Sequence, residues 1–357
     1  MPLIRVLDLS DNDNLTELPI GIGKLCALRY LNLSYTRIRE LTIELRNLKN
    51  LMILLLDHMK SLESIPQDVI SSLTSLKLFS NYAVNILSGV ETMLEEMGSL
   101  NGLSEIRITI SNALSFNKLK SSHKLLRCIS YLQLLKWGDV ITLEISFPLL
   151  KRMEHLHGLI ISHCNELKAI KINVEEEGTN KDVALPNYIV PCQEYFCTLR
   201  EVGIEHCSKL LDLTWLVYAP NLEELHVRYC ESIEQVIHYG VEEKLEIFLR
   251  LKYIKLSKLP RLKSIYGHPL LFPSLEIIKV RKCKSLRSLP FDSTTSNKNL
   301  KKIKAEKSWW NQLKWNDETL KHSFTPYFQI HKAEAYLTEE SETGGIDDDM
   351  QEQLVSN

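Results

Sequence analysis

The sequence predicts an α/β repeat fold: an elongated solenoid whose strands form one parallel sheet. Two observations lead there. A short template, L-x-x-L-x-L, recurs along most of the chain, with its second aliphatic at Leu7, Leu31, Leu54, Leu76, Ile106, Leu132, Leu159, Val202, Leu225, Ile254, Ile278 and Ile303. Successive spacings are 24, 23, 22, 30, 26, 27, 43, 23, 29, 24 and 25 residues. The second observation is length. At 357 residues the chain exceeds the usual compact core, so it is either two domains or an elongated array, and the period selects the array.

Each element follows from the template. A period in or near 20–29 residues with this pattern marks leucine-rich repeats, here about twelve irregular ones, wound as a horseshoe with a parallel β-sheet on its concave face. One coil cannot bury its own apolar side, so neighbours stack and share a continuous core. Leu18-Pro19 and Ile65-Pro66 start the return along the outer side. At ~4.8 Å per strand the sheet would be about 50 Å long. The solenoid is expected to span residues 1–320. The spacing of 43 is read as a normal repeat carrying an inserted loop, 173–195, which is acidic at Glu175–Glu177 and broken by Pro186 and Pro191. "SWWNQLKWNDETL" (308–320) sets Trp309, Trp310 and Trp315 just past the last strand, so 308–328 is expected to cap the final rung. From Thr338 onward there are seven acidic residues and no Lys or Arg, so 333–357 is read as an acidic disordered tail. Repeat one has no polar cap at residue 1, and a preceding segment is expected in the intact protein.

Composition narrows the function classes. A net charge of −2 with 25% charged residues favours neither nucleic acid nor membrane as a partner. The longest conspicuous apolar run, "LMILLL" (51–56), is far short of the ~20 residues of a transmembrane segment. The start, "MPLIRVLDLSD", has no signal-peptide core, so a cytoplasmic location and reduced thiols are expected for the eight cysteines.

Four of those cysteines, Cys164, Cys207, Cys230 and Cys283, stand three residues past the last aliphatic of their strands. The same position holds Asn12, Thr36, Met59, Asn81, Ser111, Trp137, Leu259 and Ser308 in other repeats. There the chain turns, and a small inward side chain must fill space beside backbone groups; cysteine does so as a compact apolar group with a weak donor. Adjacent rungs leave a disulfide geometrically open, although a reducing compartment argues against it. His163-Cys164 and His206-Cys207 offer donors that zinc accepts. Adjacent residues at a strand end point opposite ways, however, so neither a four-ligand metal site nor a Cys–His nucleophile pair is expected. The chain has no G-x-x-x-x-G-K-[ST], G-x-S-x-G, H-E-x-x-H or C-x-x-C, so neither an enzyme nor a cofactor site is expected.

The x positions of the template face the concave side, where binding residues sit. In repeats ten to twelve they are Lys252, Tyr253, Lys255, Ser257 and Lys258; Glu276, Ile277, Lys279, Arg281 and Lys282; and Lys301, Lys302, Lys304, Glu306 and Lys307. The cations and Tyr253 are the protein-binding candidates. Like charges stacked ~5 Å apart repel, so this patch suggests a counter-charge from an acidic protein surface or from the chain's own tail, Glu339 to Glu352. A solvated lysine face with no partner is the plain alternative.

"CSKLLDLTWLVYAPNLEELHVRYCESIEQVI" (207–237), "LFPSLEIIKVRKCKSLRSLPF" (271–291) and "WWNQLKW" (309–315) resemble the repeat region of plant intracellular immune receptors, the nucleotide-binding leucine-rich-repeat disease-resistance proteins of the coiled-coil class. Residues 1–41 resemble the first repeats of that region, and the likeness extends over residues 1–330. It implies a non-catalytic module that senses a pathogen effector or an effector-modified, guarded host protein and holds the receptor's own nucleotide-binding module inactive. The coiled-coil and nucleotide-binding modules are missing from this sequence, so ADP or ATP is expected only in the full-length family. A different intracellular repeat scaffold, such as a ubiquitin-ligase substrate-recruiting subunit, would need an F-box-like helical segment that this sequence does not show.

Overall fold

The computed structural model describes residues 3–85, 87–173, 196–238, 247–293, 295 and 298–331. Of the expected loop 173–195 only Asn173 is described, and it ends a strand; the expected tail 333–357 lies outside the described residues.

Each of the twelve repeats contributes a strand. β1 (Val6–Asp8), β2 (Tyr30–Asn32), β3 (Ile53–Leu55), β4 (Leu78–Ser80), β5 (Glu105–Ile110) and β6 (Ile129–Leu135) open one parallel sheet. It continues through β8 (Gly158–Ser162), β10 (Glu201–Glu205), β11 (Glu224–Arg228), β12 (Tyr253–Ser257), β13 (Ile277–Arg281) and β14 (Lys302–Ala305). β15 (Phe328–Ile330) adds a thirteenth strand that the template did not announce, pairing Phe328 with Ile303. Behind the main sheet, β7 (Thr142–Ser146) and β9 (Ala169–Asn173) form a second parallel pair. Single bridges Glu40–Ser64–Ser88 mark the same return path in earlier repeats.

Two registers differ from the sequence expectation. In the fourth repeat Phe79, not Leu76, lies between Leu54 and Ile106. Leu73-x-x-Leu76-x-Leu78 satisfies the template, yet Leu73 and Leu76 are buried in the approach to the strand. Asn81 then takes the last inward place, fully buried, with its carboxamide oxygen 3.4 Å from the Thr109 N–H. In the fifth repeat a bulge between Ile106 and Arg107 pairs Ile108, rather than Ile106, with Leu132.

The core is the stack of inward apolar side chains: Leu31, Leu54, Phe79, Ile106, Val202 and Ile303 have no exposed surface. In several repeats a short outer helix closes the turn from behind. Some of the helices are capped by a side chain: Asn112 Oδ1 accepts from the Ser115 N–H at 2.7 Å, and Asp317 Oδ1 from the Leu320 N–H at 2.7 Å. Past β14, Trp309 and Trp310 are buried in the helix Lys307–Gln312. Trp310 stacks on Phe328 at 4.5 Å, and Phe291 stacks on Phe324 at 4.7 Å.

Candidate functional site

Extended strands turn alternate residues toward the concave side, and the parallel register aligns them into rows across the sheet. One row runs Tyr131, Gly158, Glu201, Glu224, Tyr253, Ile277, Lys302. The next runs Gln133, Ile160, Gly203, His226, Lys255, Lys279, Lys304. A third contains Ser162, Glu205, Arg228, Ser257 and Arg281.

Of the sequence candidates, Tyr253, Lys255, Lys279, Arg281, Lys302 and Lys304 lie on these rows. Tyr253 and Lys279 are each only 9% exposed, and the Lys279 ammonium stands 5.5 Å from the centroid of the Tyr253 ring. The other candidates border the face. Lys252 and Lys301 precede their strands and donate to Glu223 and Glu276, each at 2.6 Å. Part of the expected repulsion is therefore met within the chain. Lys258 and Lys282 stand at the far strand ends, where Lys258 Nζ donates to the Tyr229 hydroxyl at 2.6 Å. The Lys282 backbone N–H donates to Glu306 at 2.8 Å, and Lys307 opens an outer helix.

The centre of the face was not anticipated. Glu201 and Glu224 sit side by side, flanked by Tyr131 and Tyr253. Two glycines allow the arrangement: a Cβ on Gly158 would fall 2.3 Å from the Tyr131 ring, and one on Gly203 would fall 2.6 Å from Ile160. Each glycine is thus covered by its neighbour's side chain. Burial, and then the charge of Glu224, push the Glu201 carboxyl up to about 7 despite its hydrogen bond with Tyr131. Burial raises Glu224 as well, and burial holds His226 down to about 4. Nearby, Arg228 pairs with Glu205 at 2.8 Å and Arg107 lies 5.4 Å from the Tyr131 centroid. The same strand positions that yielded the lysines, read in repeats five to nine, carry these residues.

At the trailing strand ends runs a second feature the sequence reading saw only in part. Asp11, Tyr35, His58, Lys136, His163, His206, Tyr229, Lys258 and Lys282 all have φ between +51° and +60°. Most of them donate their N–H to a carbonyl of the next repeat, as in His163 to Glu205 at 2.9 Å and His206 to Arg228 at 3.0 Å. This lengthens the sheet ladder by one bond and directs the following residue inward. Cys164, Cys207, Cys230 and Cys283 are that following residue, at most 2% exposed, their thiols lying 3.4–3.5 Å from strand carbonyls. The histidines therefore stand outside and the cysteines inside, as expected. Among the described residues no cluster of three or more metal-ligating groups occurs. Asn12 and Ser308 depart from the inward pattern and are exposed.

A continuous parallel sheet with one short strand per turn and a shared aliphatic core defines a leucine-rich-repeat protein. A family model of plant disease-resistance proteins, RPS2-like leucine-rich repeats, matches residues 185–308. Disease resistance protein RPS5 of Arabidopsis thaliana is 35% identical over 335 residues, covering 91% of this chain and 36% of that protein. Probable disease resistance protein At1g12290 of the same plant is 34% identical over 333 residues, covering 91% of this chain and 35% of that one. The crystal structure of the leucine-rich repeat domain of APL1B aligns over 94% of this chain and 90% of that chain, with 17% identity and a TM-score of 0.46, a likeness that carries no functional argument.

The chain is a leucine-rich-repeat protein-interaction module homologous to plant disease-resistance proteins. It spans about a third of the length of the curated relatives it matches. Among the described residues no helix is long and apolar enough to cross a membrane.

Proposed function

We propose that this chain is the recognition and regulatory region of a cytoplasmic plant immune receptor, and that the concave face between β6 and β14 contacts its protein partner. That partner is a pathogen effector, a guarded host protein or the receptor's own nucleotide-binding module. The observation that supports this reading most is the row Lys255–Lys279–Lys304, three cations held on adjacent strands of a rigid sheet. The parallel register sets these side chains at fixed spacing on an exposed sheet face, the kind of place where binding residues sit.

The test places the chain behind the coiled-coil and nucleotide-binding modules of a related receptor and scores cell death in leaf tissue. The triple reversal Lys255→Glu, Lys279→Glu, Lys304→Glu should either release the receptor from restraint or abolish its response. A receptor that stays silent at rest and responds normally after the reversal would contradict the proposal.

A further inference from the structure

We infer that Glu201, Glu224 and Tyr131 form a proton-operated switch at the centre of the concave face. With a proton on the carboxyl pair the two glutamates hold each other. Without it they repel, and the Tyr131 hydroxyl holds Glu201 instead. The inference does not depend on which partner the face takes.

The parts come from three strands. Glu201 on β10 and Glu224 on β11 are partners in the parallel register, so their side chains leave the sheet side by side on one face. Tyr131 stands on β6, with β8 between it and β10, and yet its hydroxyl hydrogen-bonds to Glu201. Gly158 makes this reach possible. It lies between Tyr131 and Glu201 in the row, and a Cβ there would fall 2.3 Å from the Tyr131 ring. The ring therefore crosses the space that any other residue would fill with its side chain.

The charges around the pair answer mainly to other groups. Arg228 pairs with Glu205 at 2.8 Å and Arg107 with Glu105 at 2.9 Å, while Arg200 and Lys252 both pair with Glu223. Among the described residues no lysine or arginine forms an ion pair with Glu201 or Glu224. Burial and the charge of Glu223 raise the Glu224 carboxyl, and the Lys252 charge offsets only part of this. His226, whose Nε2 lies 3.6 Å from Glu224, is held neutral by burial and by the charges of Lys255, Arg228 and Lys279. Tyr82 and Tyr131 keep their protons, because burial and the Glu201 charge push both hydroxyls up. Near neutral pH each can give a hydrogen bond to a carboxylate but not a counter-charge.

Two such carboxylates ~5 Å apart do not ionise independently. Burial and the charge of Glu224 bring the Glu201 carboxyl to about 7, so the pair takes up a proton close to neutral pH. A carboxylic acid donates one hydrogen bond, whereas a carboxylate only accepts. The protonated pair closes on itself, one carboxyl O–H donating to the other carboxylate. Loss of that proton removes the bond, adds a negative charge to the centre of the face and draws Tyr131 onto Glu201. In the structure Tyr131 holds Glu201 and no hydrogen bond joins the two glutamates, which is the arrangement of the ionised pair.

The experiment follows the full chain by NMR, with isotope labels on the glutamate carboxyls and tyrosine rings, from pH 5 to pH 9. Signals are assigned from the single variants Glu201→Gln, Glu224→Gln and Tyr131→Phe, each close in shape to the residue it replaces. Glu201 should titrate near pH 7, and the Tyr131 ring signal should move with the same midpoint. Glu224→Gln removes the repulsion and should lower the Glu201 midpoint by about one pH unit. Tyr131→Phe removes the donor to the ionised form and should raise that midpoint by about half a pH unit. In Glu201→Gln the Tyr131 signal should stay flat between pH 6 and pH 8. A Glu201 midpoint below pH 5.5, a midpoint that Glu224→Gln leaves in place, or a Tyr131 signal that ignores the transition overturns the inference. Were Glu224→Gln not to fold, the wild type still decides. Coupled carboxyls each report two separated steps, and a single step at each glutamate overturns the switch.

Discussion

His163 and His206 lie face to face, their ring centroids 4.4 Å apart and their planes 5° from parallel, and His206 stacks in turn on Tyr229 at 4.1 Å. Burial lowers the pKa of both imidazoles, with Lys136 acting further on His163 and the His163 charge acting further on His206. The fold keeps them neutral where the unfolded chain would begin to protonate, near pH 6.5. As pH falls below that value the unfolded state takes up protons that the folded state refuses, so stability is lost. The double variant His163→Phe, His206→Phe keeps the stack without the protons. Its melting temperature should match wild type at pH 8 and exceed it at pH 5. Equal acid losses in the two proteins would show that the stack does not titrate.

Glu201 works in the opposite direction. Its carboxyl ionises near 4.5 when unfolded but only near 7 when folded, so the protein loses stability as pH rises through that window. Glu201→Gln removes this loss. Denaturant midpoints should show the variant more stable than wild type at pH 8, by on the order of 2 kcal/mol after allowing for partial hydration. Near pH 4.5 the two should be alike. A variant less stable than wild type at pH 8 would mean that the ionised carboxylate is favoured by contacts within the chain.

The repeat itself was legible because stacking forces aliphatics inward at fixed spacing. The fourth register was not, because Leu73, Leu76 and Leu78 imitate the template while Phe79 and Asn81 take the inward places that leucine holds elsewhere. The lysine row was legible once one face of each strand had been counted. The acidic centre lies on the same positions, but Tyr131, Glu201 and Glu224 come from three separate repeats, and only the paired strands bring them together. The stacked rings escaped notice because the left-handed backbone that turns His163, His206 and Tyr229 outward leaves no glycine in the sequence to mark it.

Gly158→Ala should test the floor of the face. Its Cβ would meet Tyr131 at 2.3 Å, so the ring must move from its hydrogen bond with Glu201. A loss of about 1–3 kcal/mol in stability is expected from overpacking. A neutral substitution would show that Tyr131 is free to swing aside.

The thiols should separate by reactivity. Cys26 is exposed, whereas Cys164, Cys207, Cys230 and Cys283 are buried, and burial pushes the Cys283 thiol up to about 12. Under native conditions an alkylating reagent followed by mass spectrometry should modify Cys26 first and the four buried cysteines only on unfolding. Prompt labelling of all four would contradict the inward register.

Whether the concave face is the protein-contact surface is tested most directly by comparing two sets of charge reversals in one association assay. The chain is co-expressed with the remaining portion of RPS5, and co-precipitation is measured at low and high salt. Reversing Lys255, Lys279 and Lys304 to Glu should abolish association. Reversing Lys24, Lys118 and Lys151, which stand on the outer helices, should leave it intact, and added salt should weaken it. Association that survives the concave reversal and fails with the outer one would place the contact surface on the other side of the solenoid.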